Sequence, residues 1–181
     1  MKKVAILAAP GFEEIELMAP LDILRRLNMD VVLAGVQSDK VVSTHEVTVS
    51  TDTMLDKLHA DKLDALILPG GAGSWVLRDT PEVIHLVKKM HEAGKLVAAI
   101  CAAPSVLAAL GLLEGKNATA HAAFQDKLAG AHVLDTEVVV DGNITTSYGL
   151  GGAIPFALEL VRQLAGEAEA DRIRNAIAYR H

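Results

Sequence analysis

The chain has 181 residues, enough to bury a core around one sheet, and carries a formal net charge of −6. That balance leaves no basic footprint for a nucleic-acid backbone, and Trp75, Tyr148 and Tyr179 are too dispersed to make a base-stacking platform. No apolar run reaches the length of a bilayer span, and a single cysteine excludes an intrachain disulfide.

Residues 4–8 form an apolar run that stops at Pro10-Gly11 and meets Glu13 and Glu14, so it reads as a first buried strand rather than a signal peptide. A cytoplasmic protein is expected. A helix over 13–27 follows, with Leu17, Leu21, Leu24 and Leu27 at helical spacing. Residues 30–36 are a second strand, and 41–50 carry β-branched residues on both sides of Thr44-His45-Glu46, the pattern of a small hairpin. Strands over 65–68 and 96–100 alternate with helices over 81–93 and 104–110, each begun by a proline and ended by a glycine. The Asp141-Gly142 turn predicts a hairpin over 137–147, and two helices over 152–166 and 167–179 close the chain. With no linker or repeat, the reading is one α/β domain over 1–181. It is a three-layer, flavodoxin-like sandwich with a mostly parallel sheet and helices on both faces.

Open α/β sheets bind ligands where their strands end, which directs attention to three turns. Cys101 follows the strand over 96–100 directly, and a helix begins about three residues later. Amides at a helix N-terminus stabilise a thiolate and depress a cysteine pKa below its usual ~8.5. Cysteine is also a common core residue, so an inert thiol is the competing reading. The Pro69-Gly70-Gly71-Ala72-Gly73 turn exposes backbone N–H groups that suit an oxyanion, or simply serves to leave the sheet. Glu13, Glu14 and Glu16 open the first helix, where acidic residues complement the helix dipole. Glu16 lies between Ile15 and Leu17. If it faces the crevice, burial raises its pKa while the dipole lowers it, and the sign stays open.

Among seven histidines, His85 and His91 do not share a helix face, and His59, His132 and His181 sit in polar surroundings. His121 follows a short strand-like run, 118–120, whose end is placed to point into the crevice; a surface or core histidine is the alternative. No metal-ligand spacing is apparent. The Gly149-Leu150-Gly151-Gly152 run lacks the early βαβ context of a dinucleotide site and is discounted.

Together these stretches resemble the ThiJ/PfpI superfamily, in its Parkinsonism-associated deglycase branch. The matching motifs are Pro10-Gly11-Phe12-Glu13-Glu14-Ile15-Glu16, Leu68-Pro69-Gly70-Gly71, Ala98-Ala99-Ile100-Cys101-Ala102-Ala103-Pro104 and Thr119-Ala120-His121. The resemblance implies a homodimer and a cofactor-independent, metal-free enzyme acting on small reactive aldehydes or glycated substrates. It implies Cys101 as the nucleophilic, oxidisable cysteine, Glu16 and His121 as its neighbours, and the amides of Gly71 and Ala102 as oxyanion donors. An oxidative-stress sensor or chaperone is the alternative role. Ala102 stands where the protease-like branch has histidine, which argues against peptidase chemistry. Tyr148 and His45 replace residues that many members use to build an anion site.

Overall fold

The computed structural model describes residues 1–180; His181, assigned above to polar surroundings, lies outside the described residues. Strand β1 (Lys3–Ala8) runs into α1 (Glu14–Arg25) and returns as β2 (Asp30–Gly35). The hairpin β3 (Lys40–Val42) and β4 (Thr48–Ser50) follows, then the short β5 (Thr53–Met54). β6 (Ala65–Leu68) leads into α2 (Gly73–Asp79) and α3 (Pro81–Glu92), and β7 (Leu96–Ile100) into α4 (Pro104–Ala109). A separate pair, β8 (Asn117–Ala118) and β9 (His132–Val133), precedes the hairpin β10 (Val138–Asp141) and β11 (Ile144–Ser147). Helices α5 (Ala153–Ala165) and α6 (Glu167–Ala176) come last.

The central sheet has the order β10-β11-β7-β6-β1-β2-β5, parallel throughout except for β10 on β11. The chain goes from β1 to β2 on one side and then crosses to β6 on the other. The strand order therefore reverses between β1 and β6, and that reversal opens a crevice at their carboxyl ends. Both faces of the sheet are covered. Val4, Ile6 and Ala8 of β1 join one apolar cluster with α1 and α5, while Ala5 and Leu7 join a second with α3 and α4. This double burial explains why the strands read as unbroken apolar runs.

Two expectations needed adjustment. Helix α2 begins inside the Gly71-Ala72-Gly73 turn, where a glycine start and the lack of a capping side chain give it no helical signature in the sequence. The strand before His121 covers only Asn117–Ala118 and pairs with β9 outside the central sheet, so His121 reaches the crevice from a loop.

Phe156 of α5 is fully buried in the cluster that also holds Leu17 and Leu24 of α1. Phe156→Ala is expected to cost about 3–5 kcal/mol, because removing the ring leaves a cavity between helix and sheet; urea unfolding measures it.

Candidate active site

The three glutamates at the start of α1 have three different fates. Glu13 is the N-cap, its side chain accepting the Glu16 N–H at 2.9 Å, which is the ordinary work of an acid at a helix start. Glu14 turns to the β3–β4 hairpin, where it accepts the His45 N–H at 2.8 Å, pairs with His45 Nδ1 at 2.9 Å and accepts the Ser43 hydroxyl. Those bonds from Ser43 and His45 hold its carboxyl down at about 2. Glu16 points inward. It is only 1% exposed, and its Oε2 accepts the Gly70 N–H at 3.0 Å.

Cys101 closes the other side of this pocket. It sits at φ 65°, a left-handed backbone that costs a β-carbon-bearing residue energy and turns the chain sharply from β7 into α4. Two bonds fix the strained residue: its N–H donates to Ser147 O at 2.9 Å, and its carbonyl accepts the His121 N–H at 3.1 Å. Its side chain hydrogen-bonds Glu16 and receives the backbone N–H groups of Gly71 and Ala102. Gly70 lets the three turns meet, since a Cβ there would sit 2.5 Å from Glu16 Oε2 and 2.7 Å from Cys101 Cβ.

His121 lies beside the cysteine. A Cβ built on Gly149 would be 3.5 Å from His121 Cδ2 and 3.7 Å from Cys101 Sγ, so ring and sulfur flank the same glycine. His121 Nδ1 accepts the Ala123 N–H at 3.2 Å, which leaves Nε2 as the ring's free nitrogen. The discounted Gly149-Leu150 turn also belongs here: Gly149 takes φ 145°, and the Leu150 N–H is a second backbone donor to Glu16. These glycines bring backbone amides up to a carboxyl rather than to a dinucleotide. Tyr148 turns its ring over Gly151 and Gly152, and His45 is taken by Glu14, so neither faces the sulfur directly.

Comparison with known proteins agrees with this arrangement. The DJ-1/PfpI family model matches residues 2–163, a span containing Glu16, Cys101, His121 and Gly149. The chain belongs to the DJ-1/PfpI family. It is 39% identical over 164 residues to a deglycase of Thermococcus kodakarensis, covering 90% of this chain and 99% of that one. It is 36% identical over 180 residues to protein dj-1beta of Drosophila melanogaster, covering 97% and 96%. The solved structure of oxidized DJ-1 from Toxoplasma gondii superposes with a TM-score of 0.96 at 34% identity, each chain covered in full. The flavodoxin-like sandwich expected from the sequence is thus the fold of this DJ-1/PfpI member.

The electrostatics of the site depart from expectation at the cysteine. Burial, then the charge of Glu16 and its hydrogen bond, pushes the Cys101 thiol up to about 12, against the lowering by the Gly71 and Ala102 amides. Helix α4 has only 6 residues, too short a dipole to outweigh a buried carboxylate alongside. Burial also raises Glu16, to about 7, which settles the sign left open above. The two groups titrate as a pair. A thiolate at Cys101 requires the proton to stay on Glu16, because two adjacent buried anions repel each other. Elsewhere, ligand atoms of Glu13, Glu14 and His45 lie within 4.8 Å of one another. The Glu14 oxygens there are already engaged by Ser43 and His45.

Because the folded pKa of Glu16 lies above its ordinary 4.5, the native state holds a proton that the unfolded chain releases. Its contribution to stability is complete below about pH 4.5 and is lost as pH rises to about 7, a change on the order of 3 kcal/mol. Urea unfolding at pH 4.5 and pH 7.5 should show this fall in the wild type and a fall smaller by that amount in Glu16→Gln.

Proposed function

We propose that this protein is a cofactor-independent glyoxalase and deglycase that converts small oxoaldehydes, or their early adducts, to hydroxy acids. The observation that carries the reading is the buried Glu16 carboxyl hydrogen-bonded to Cys101, a nucleophile and an acid–base group in contact. Relatives named deglycase support it.

With the proton on Glu16, the Cys101 thiolate adds to the aldehyde carbon of methylglyoxal, and Glu16 passes its proton to the resulting alkoxide. The Gly71 and Ala102 N–H groups, which face Sγ, offset negative charge at sulfur and at the new oxyanion. The Glu16 carboxylate then takes the C1 proton, giving an enediolate whose C2 oxygen is stabilised by a hydrogen bond donated from His121 Nε2–H, and returns the proton to C2. The C1 hydroxyl proton passes to the C2 oxygen, leaving a thioester with a C2 hydroxyl. Water cleaves the thioester to lactate and frees the thiol. No electrons leave the substrate: C1 is oxidised as C2 is reduced.

Lactate formation from methylglyoxal tests the proposal. Wild type should turn over, Cys101→Ser should fall to background, and Glu16→Gln should lose on the order of 10²-fold or more. Equal lactate from wild type and Cys101→Ser would remove Cys101 from the chemistry. The sensor reading has one observation in its favour: a protonated Glu16 beside the chain's single cysteine suits a sulfinate, with no second thiol to resolve a sulfenate. No lactate, with peroxide converting Cys101 to a stable sulfinate by mass spectrometry, would favour it.

We infer further that the chain works as one domain in the reducing cytoplasm and assembles as a homodimer. No helix among the described residues is long and apolar enough to cross a membrane. Ile15 and Met18 of α1 are exposed apolar residues, as are Leu150 and Ile154 around the start of α5. Helices α1 and α5 pack together, with Ala19 and Ile154 lining one cleft, so these side chains suit a self-complementary contact. Met18→Glu should shift the sedimentation coefficient from dimer to monomer; a wild-type monomer would overturn the proposal.

A further inference from the structure

The two partly exposed aromatic rings beside the site, Trp75 and Phe124, are unexplained by the chemistry above. Phe12 and Phe156 fill the core, whereas Trp75 and Phe124 are only half-buried and lie with ring centroids 5.8 Å apart. Each arises from a segment that begins at the Cys101 pocket. Trp75 is in α2, which starts directly after the Gly71 amide. Phe124 is in the 3₁₀ helix Ala122–Lys127, whose N-cap is His121. A 3₁₀ helix has three residues per turn, so His121, Phe124 and Lys127 fall on one face. The contacts agree: the His121 ring meets Phe124 edge-on at 6.4 Å, and Lys127 Nζ lies 4.7 Å from both the Phe124 and Trp75 centroids. The row therefore runs outward from the reacting sulfur and ends in a cation.

The charge at that end is single. Arg78 also sits 4.7 Å from the Trp75 centroid, but Asp79 holds its guanidinium through two bonds of 2.7 and 3.1 Å. Lys127 is exposed and, among the described residues, is paired with no carboxylate. A ring face leaves an ammonium partly dehydrated with its charge uncompensated, so an incoming anion meets less competing water.

We propose that Trp75, Phe124 and Lys127 form a specificity rim that takes carbonyl substrates bearing a terminal carboxylate, the rings supporting the carbon chain and Lys127 meeting the charge. One net positive charge matches a monoanion. The inference deepens the proposed function, since it rests on Cys101 as the group that attacks the carbonyl.

Maleimidohexanoate and its uncharged amide alkylate the same sole thiol and differ only at the far end, so the ratio of their rate constants isolates the rim. At low salt the ratio of acid to amide should drop about threefold or more in Lys127→Met, recover in Lys127→Arg, and fall in wild type as salt is raised. Identical ratios in wild type and Lys127→Met, or no reaction of wild type with either reagent, would overturn the rim. Lactate formation from methylglyoxal, which carries no charge, should be unchanged in Lys127→Met. If methylglyoxal is not turned over while the ratio still depends on Lys127, the glyoxalase reading fails and the rim stands.

Discussion

A buried carboxyl in contact with a half-buried thiol constrains the rest of this molecule. Two anions side by side away from bulk water repel strongly, so Glu16 and Cys101 share a proton, and the backbone around them is arranged to support either charge. The Gly70 and Leu150 amides face the carboxyl, and the Gly71 and Ala102 amides face the sulfur. A buried polar pair without such donors would cost several kcal/mol.

Bringing those donors to one place is the task of the fold. The turns after β1, β6 and β7 converge because these strands are neighbours and parallel, and the reversal of strand order opens the crevice between the first two. The convergence is tight enough that Gly70 has no room for a Cβ, and that Cys101 is held in a left-handed conformation by bonds to Ser147 and His121. Strain of this kind persists only where surrounding structure overdetermines it. Here the surroundings are a fully buried sheet core with helices on both faces.

Much of this was legible in the residues. The apolar strands, the proline-started helices and the Asp141-Gly142 hairpin follow from period and turn chemistry, and all appear close to their expected bounds. Cys101, Glu16, Gly71, Ala102 and His121 were all placed at strand ends or next to them, and the structure brings them together. The pKa of Cys101 could not be read this way, because a local rule about helix N-termini says nothing of a carboxyl 85 residues away in sequence. The Gly149-Leu150 turn was missed for a similar reason, since a glycine run has no side chains to advertise what its amides contact.

By itself the sequence determined the layered α/β architecture and the reactive residue types, because hydrophobic period, turn propensity and thiol chemistry are local properties. Only the tertiary structure decided which of Glu13, Glu14 and Glu16 faces the sulfur, and in which direction each group of the pair titrates. Those outcomes depend on burial and on charges brought close by non-local strand pairing. Three acids within four residues look alike until one is taken out of water.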